Sequence, residues 1–411
     1  MSVIESCDIA ILGAGVIGLA IAERLLAEGR AVTLIDPGPP GGGASYGNAG
    51  TIADYAVMPV GSPAVLRDLP RLLFDRNSPL AIRRAALPTL APWLVRFLRQ
   101  SLPAAATRNA QALAGLLEGA GPLWQGLAER VGGLGILQDR GCLYLYDSAA
   151  DFRAAHTEMA RRRGFGVQLE LLSPEALAHL EPGLPPMAGA AFFPGALFLT
   201  DPGAMMAHLA AHVTAKAPLI RAKATKITRK GGTVLIEGED LRLVARRVVI
   251  AAGAHSRALA LTAGDRIPLD TERGYHLEWD FKPPLTRPAC LTSRGFYLCP
   301  LQGRLRAAGT VELGGLAAPP SPHRLQRLEE GAKAIFRSLG PPDRSWMGFR
   351  PSIPDSLPVI GPSANGGEVI HAFGHGHIGL TLAPVTARLV ADLIAGRAPE
   401  RDIAPCRASR F

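Results

Sequence analysis

Cysteine is scarce in this 411-residue chain, and its five copies, Cys7, Cys142, Cys290, Cys299 and Cys406, are odd in number and far apart. No CxxC pair and no Cys/His cluster occurs, which excludes a disulfide framework and argues against a metal site. A reducing compartment, and hence a cytoplasmic location, is the simplest expectation. Charged residues make up only 19% of the chain, and the Arg-dominated net charge of +9 is scattered rather than gathered into a run. Compositional bias explains that charge better than an anion-binding surface does. No basic patch interleaved with aromatics is present, so a nucleic-acid partner is not expected. Apolar runs are also short. Ile9–Leu26 looks at first like a leader or a membrane span, but it holds three spaced glycines and is cut by Glu23 and Arg24. It also lacks a basic n-region and a small-residue cleavage site. Internal repeats and low-complexity linkers are missing too.

What is present is a folded pattern. With 48% hydrophobic residues, the chain is rich enough in apolar side chains to bury cores, and its length calls for two domains. Asp8–Leu12 reads as a buried parallel strand and Val16–Glu28 as a helix stopped by Gly29. Ala31–Ile35 is a second strand, ending in Asp36. A helical pattern runs from Ser62 to Val131, broken by Pro88, Pro92 and Pro103. Strand-like runs follow at Cys142–Tyr146, Val167–Leu172, Arg246–Gly253, Tyr275–Trp279, Phe296–Pro300 and Leu305–Thr310. The end returns to an α/β pattern, with a strand at Val369–Phe373 and a helix from Gly379 to Ala395. Without a linker between the two patterns, the domains must be interleaved.

Gly13, Gly15 and Gly18 have the spacing that brings backbone close to a pyrophosphate at a helix N-terminus. That spacing alone is weak. Here it follows a strand, opens a helix and leads to Asp36 at the end of the next strand, which is the full dinucleotide-binding context. Asp36 is expected to accept hydrogen bonds from ribose hydroxyls, and its charge disfavours a 2′-phosphate. NAD and FAD both fit this unit. A second glycine-rich loop, Gly41–Gly50, could cover the pyrophosphate and ribityl chain of a longer cofactor, or could be a plain surface loop.

Seven motifs, in order along the chain, carry a resemblance. They are Ile11-Leu-Gly-Ala-Gly-Val-Ile-Gly18, Ala44-Ser-Tyr-Gly-Asn-Ala-Gly50, Val248-Val-Ile-Ala-Ala-Gly-Ala-His-Ser256, Tyr297-Leu-Cys-Pro300, Gly309-Thr-Val-Glu312, Gly348-Phe-Arg-Pro351 and Gly374-His-Gly-His-Ile-Gly-Leu-Thr381. Together they resemble the FAD-dependent D-amino-acid oxidase superfamily, most of all its bacterial D-amino-acid dehydrogenases, D-proline and D-hydroxyproline dehydrogenase-like members included. The resemblance implies a doubly wound, Rossmann-like FAD-binding domain from residues 1–55, 200–262 and 346–411. Interleaved with it would be an α+β substrate domain with a mixed, largely antiparallel sheet, from 56–199 and 263–345. Non-covalent FAD would lie on Gly13, Ala14, Gly15, Val16, Ile17, Gly18 and Asp36, then on Ala44, Ser45, Asn48, Ala49 and Gly50. Ala224, Ala252, Gly253, Gly376, His377, Gly379, Leu380 and Thr381 complete the expected contacts.

The same resemblance implies that Arg350 binds the substrate carboxylate and that Tyr297 adds a second hold. A guanidinium suits that task because it grips a carboxylate with two parallel hydrogen bonds, although a structural salt bridge would use the same chemistry. His377 either helps hold charge on the flavin or caps the following helix, and His375 reads as structural. Tyr275 and His276 lie on a strand that could face the substrate or simply pack. The implied reaction passes the α-hydrogen of a small D-amino acid, D-proline-like substrates among them, to flavin N5 as hydride, and the imine then hydrolyses to a 2-oxo acid. Electrons would leave to a quinone or an electron-transfer protein. An oxygen-using oxidase of amino acids, glycine or sarcosine, an enzyme oxidising 2-hydroxy acids, and a non-catalytic flavoprotein subunit are the alternatives. Peripheral contact with the inner face of a membrane through the helices near Arg83–Arg99 competes with their serving as a cap on the substrate domain.

Overall fold

The computed structural model describes residues 5–67, 78 and 80–411. Ile9, Ile11 and Leu12 are wholly buried, as a strand covered on both faces requires. The strand Glu5–Leu12 pairs in parallel with Val32–Ile35 on one side and with Leu241–Ile250 on the other. The latter strand divides its edge. Its first half pairs antiparallel with Thr233–Gly238, and residues 248–250 pair in parallel with Gly366–Phe373. The registers set Ile35, Leu12, Ile250 and His371 in one row, so the parallel strands end together. Helices Val16–Ala27 and Gly379–Ala395 begin just beyond that row and pack on one another.

The segment Gly376–Ala395 is the one among the described residues long and apolar enough to cross a membrane, yet 72% of its apolar window is buried inside the protein. It is a core helix of the first sheet.

A second, nine-stranded sheet runs in the order Arg344–Ser352, Asp270–Trp279, Arg304–Leu313, Phe296–Leu301, Ala289–Leu291, Cys142–Tyr146, Gly189–Phe193 and Glu170–Leu172, with Leu80–Ile82 added beside Arg304–Leu313. Helix Pro322–Ile335 covers one face, where Tyr275, Leu277 and Trp279 pack. The opposite face meets the glycine loop of the first sheet. There Arg306, wholly buried and paired with Glu278 at 2.6 Å, donates through Nη1 to the carbonyls of Tyr46 (3.1 Å) and Asn48 (2.6 Å).

Part of the helical reading of Ser62–Val131 is corrected. Leu80–Ile82 is a strand parallel to Val311–Leu313, and three residues are too few to display a period. The stretch at 68–77 and 79 lies outside the described residues. Helices Leu87–Gln100, Pro103–Leu117 and Ala120–Arg130 occupy the rest. Pro88 and Pro103 open helices rather than break them, because the first turn has no use for their missing N–H. Pro92 lies inside its helix. A domain boundary at residue 346 would cut the strand Arg344–Ser352, which belongs wholly to the nine-stranded sheet. We propose the division after Ser352 and keep the other ranges as proposed.

The Arg306 contact makes a stability prediction. Arg306→Met removes one partner of a buried pair and two loop anchors. It should cost roughly 3 kcal/mol, the low end for breaking such a pair, because Arg304 and Arg344 still reach Glu278. Chemical denaturation of the variant checks this, and an unchanged midpoint would refute it.

Candidate active site

The first glycine loop is shaped by contacts that exclude side chains. Gly13 has φ of 111°, and a Cβ there would lie 2.4 Å from the Ala251 carbonyl oxygen. A Cβ on Gly18 would lie 1.9 Å from the Gly13 oxygen. Helix Val16–Ala27 has no acidic residue in its first turn, and its Ile17 and Gly18 amides have no carbonyl one turn back within the helix. The partial positive charge of that terminus therefore faces the loop. Asp36 accepts from the Ala14 amide at 2.7 Å and from the Gly38 amide at 2.7 Å, one bond per carboxylate oxygen. A carboxylate has about four acceptor positions, so lone pairs remain for ribose hydroxyls.

The second loop is tied to the first. Gly41 donates to the Ala14 carbonyl at 2.7 Å, and the Ser45 hydroxyl accepts from the Val16 amide at 2.9 Å. Asn48 spends its side chain inside the loop, on the Ser45 carbonyl and the Gly50 amide. Ala44 and Ala49 are half-buried beside it. The chain then reaches the second helix terminus, where the Ala53 amide donates to the Thr381 hydroxyl at 2.9 Å. Helix Gly379–Ala395 also starts without an acidic residue or a side-chain cap, after left-handed glycines at Gly374 and Gly376. Trp124 fixes this start by donating to the Leu380 carbonyl at 2.8 Å. Ala252 and Gly253 follow Ile250 at the same edge of the sheet, and Gly253 has φ of 55°. Ala224 opens the strand Ala224–Lys230 and packs, with Ile220 and Ala252, against the cluster that holds Leu12 and Ile35; the Ile220 carbonyl accepts from the Asp36 amide. The Thr51 hydroxyl is buried with no protein partner among the described residues. Two uncapped helix termini joined by a small-residue loop fit an elongated cofactor with a phosphate at one end and an electron-accepting ring at the other.

Arg350 lies in the second sheet, opposite Glu272 in the register. Tyr297 pairs with Ala308, and Ala308 with His276. Residues 272 and 276 share a face, so Arg350 and Tyr297 do as well. Gly274, between them, leaves room for the guanidinium: a Cβ there would come within 2.6 Å of Arg350 Cζ. Arg350 Nη1 donates to the Thr310 carbonyl at 3.0 Å. Thr310 has φ of 54°, an outlier for a β-branched residue, at a bulge where two residues of its strand, Thr310 and Val311, face one, Gly274, on the next. That bulge aims the carbonyl at Arg350. No carboxylate among the described residues forms an ion pair with Arg350, and burial lowers its pKa while Glu272 works the other way.

The remaining predicted residues divide. Tyr275 is corrected: strand alternation puts it on the face opposite Arg350, where its hydroxyl bonds Glu312 and accepts from the Ser321 amide. His276 is on the Arg350 face but lies under Trp346, stacked at 5.0 Å, with Nδ1 3.1 Å from the Gly47 carbonyl. His377 is exposed, while desolvation and then Arg350 push its pKa down to about 4. That shift favours the neutral imidazole, whose ring N–H can still donate to an anionic ring, so both roles given to His377 stay proposals. His375 is structural, bonded to Thr386 at 2.9 Å. Trp93 is buried and Arg83 is paired with Glu312, so the helical segment near Arg83–Arg99 caps the second sheet with those side chains.

Sequence reasoning missed Tyr55 and Tyr144. The Tyr55 hydroxyl is 3.4 Å from that of Tyr297, which in turn donates to Tyr144 at 3.3 Å. It also missed Asp54, whose carboxyl is raised to about 6 by burial. Their one sequence signal is that Asp54 and Tyr55 lie four and five residues beyond Gly50, the end of the second glycine loop.

Asp36 supports a direct measurement. Asp36→Ala removes charge-assisted acceptors and should weaken dinucleotide binding by roughly 1.5–3 kcal/mol while the chain still folds. Titrating apoprotein with FAD checks this, and equal affinities would show that Asp36 serves only the Ala14 and Gly38 amides.

Comparison with known proteins agrees with this geometry. Residues 8–393 match the DAO family, described as FAD dependent oxidoreductase. The chain is 37% identical to a D-amino-acid oxidase of Bradyrhizobium diazoefficiens, with 99% of each chain covered. It is 30% identical to a D-amino acid dehydrogenase of Cereibacter sphaeroides, over 98% of this chain and 95% of that one. The fold superposes on the glycine oxidase of Geobacillus kaustophilus with a TM-score of 0.79 at 24% identity, over 99% of each chain. The chain belongs to the DAO family and is an FAD-dependent oxidoreductase.

Proposed function

We propose that this enzyme oxidises a D-amino acid, by way of the imine, to the 2-oxo acid. The observation that carries the reading is Arg350: a half-buried guanidinium that forms no ion pair among the described residues, seated on Gly274 and held at one nitrogen by the Thr310 carbonyl. Its other N–H groups are free for a planar carboxylate. Tyr297, aligned by Tyr55 and Tyr144, supplies a second hydroxyl contact on the same face. When bound, FAD supplies the two-electron acceptor. The protein's part is to fix the carboxylate so that the Cα–H bond points in one direction, and orientation of this kind accounts for much of the rate in such reactions. No strong base is required, because the substrate reacts as the free amine. The proposed cofactor contacts are the two glycine loops, Asp36 and the Gly376–Thr381 terminus, with FAD held non-covalently. Acid precipitation should release the flavin into the supernatant, and a pellet that stays yellow would overturn the non-covalent reading.

A dehydrogenase passing electrons to a quinone or electron-transfer protein is the primary reading of the second half-reaction. The relatives named D-amino acid dehydrogenase support it. A specific observation favours a second reading: the relative at 37% identity is named an oxidase. Peroxide release in air, measured against reduction of a soluble quinone, separates the two. A flavoprotein subunit without activity of its own would hold FAD that no substrate bleaches.

Arg350→Lys keeps the charge and loses the planar fork. It should lower kcat/KM for the best D-amino acid at least about tenfold to a hundredfold, with the bound-flavin spectrum nearly intact. A purely structural Arg350 predicts lost FAD and a lowered melting temperature instead. Anaerobic flavin reduction at a near-normal rate in the variant would remove the carboxylate-clamp assignment.

A further inference from the structure

Glu272 is a carboxylate that the proposed reaction leaves unused, and it is only 5% exposed. It stands directly opposite Arg350 in the register of two neighbouring strands. The Cβ atoms of such a pair are about 5 Å apart, close enough for an ion pair. None forms among the described residues. The guanidinium lies over Gly274 instead, where a Cβ would come within 2.6 Å of its Cζ, and Nη1 is tied to the Thr310 carbonyl. Glu272 and Gly274 share one face of their strand, so the carboxyl stands beside the guanidinium without capturing it. Trp93, Phe97 and Leu313 share a wall with Glu272, and Trp93 spends its N–H on the Ser352 carbonyl. Ser352 also borders the second helix terminus: it bridges to His375, and a Cβ on Gly376 would lie 3.9 Å from its Oγ. Burial raises the pKa of Glu272, while Arg350 and then Ser352 favour its ionised form. The other charged groups around it are answered elsewhere or neutral. Asp270, on the same strand face, feels Arg257, and Arg273 pairs with Glu312 on the reverse face. Asp355 pairs with Arg410, and Arg96 and Arg99 of helix Leu87–Gln100 face solvent. His276, His375 and His377 have pKa values of about 4, 3 and 4. Arg350 is the charge that acts on Glu272.

We propose that Glu272 is a positioning residue for the clamp: as the counter-charge to Arg350 it sets how tightly the site holds carboxylates, and it takes up a proton when one binds. The inference rests on the reading of Arg350 as the carboxylate clamp. A carboxylate on Arg350 cancels the charge that keeps Glu272 ionised, and burial then favours the neutral acid. A proton moves from solvent to a Glu272 carboxylate oxygen and forms an O–H bond there; no electrons are exchanged. Coupling of this kind is reciprocal, so an ionised Glu272 weakens the hold on a carboxylate by the factor by which the bound carboxylate favours protonation. Below its pKa Glu272 is neutral and Arg350 acts unopposed, so affinity for carboxylates falls as pH rises through that pKa. Substrate and 2-oxo acid product carry the same carboxylate, and a clamp without a counter-charge would retain the product.

The test uses the FAD-loaded enzyme and butanoate, a carboxylate with no amine to oxidise. Calorimetry in two buffers of different ionisation enthalpy counts the protons exchanged, and the flavin spectrum gives Kd. Wild-type enzyme should take up protons as butanoate binds. Its Kd, referred to the butanoate anion, should rise about tenfold from about pH 5 to about pH 8, since one unit of pKa shift is a factor of ten. Glu272→Gln should abolish the uptake near neutral pH and bind butanoate about tenfold more tightly than wild type at about pH 8. It should also lower KM for the best D-amino acid by a larger factor than it changes kcat, and Glu272→Asp should restore the pH dependence. His377 also feels Arg350, but its pKa of about 4 confines its own uptake to acid pH. Melting temperatures identify which variants remain folded, and the wild-type proton count needs no variant. No proton uptake by the wild-type enzyme, or a folded Gln variant with the wild-type pH profile, overturns the inference. Butanoate affinity unmoved by Arg350→Lys removes the clamp and this inference with it. Affinity lost in that variant, with no proton uptake in wild type, leaves the clamp standing and removes the role of Glu272 alone.

Discussion

A buried arginine holds the two halves of this enzyme in register. Arg306 sits on the second sheet with its charge answered by Glu278, and it spends Nη1 on the carbonyls of Tyr46 and Asn48 in the loop of the first. Burying such a pair is expensive unless the remaining donors and acceptors are used. Here they are: Arg304 and Arg344 also reach Glu278, whose carboxyl is held below its usual range chiefly by Arg306 against the opposing effect of burial. Two rows further on, His276 repeats the connection through the Gly47 carbonyl. The loop that ties the two helix termini together is thus gripped from the sheet that carries Arg350. The proposed clamp and the proposed cofactor site share one support.

The first sheet uses one electrostatic device twice. Its parallel strands end in a row, and the helices that follow the first and last of them present uncapped termini on the same edge. One terminus suits a pyrophosphate, and the other suits negative charge developing on a reduced ring. Because the two helices pack on each other, the spacing between those positive ends is set by core side chains rather than by loops.

Much of this was legible in the sequence because it is local. The Gly13–Asp36 unit declares itself by spacing, and Gly379–Ala395 was read with its full bounds. The second sheet was harder. Its strand Asp270–Trp279 is buried on both faces from Thr271 onward, so polarity does not alternate and Tyr275 could not be told from His276 as the inward residue. Its buried charges, Arg273 and Arg306, look like surface residues in a linear reading. The bulge at Thr310 leaves no composition signal, since Gly309-Thr-Val-Glu312 reads as ordinary strand. Tyr55 and Tyr144 reach Tyr297 only through tertiary packing. What sequence alone fails to give is the side of the sheet, and the side of the sheet decides who touches substrate.

The charge state of the site follows from these placements. Burial keeps His276 and His375 neutral, and it acts with Arg350 to keep His377 so. Arg350 therefore remains the cation of the proposed site, with Glu272 as its nearest opposing field. An anionic substrate group is drawn to one point rather than spread over several. An amine brought in beside that cation is favoured in its neutral form, which is the form whose lone pair assists removal of the α-hydrogen. A protonated histidine within the same cluster would compete for the carboxylate and blur its orientation. Neutral imidazoles remove that competition, so a site without an obvious base can rely on a single well-seated guanidinium to set both the binding pose and the protonation state of the group that reacts.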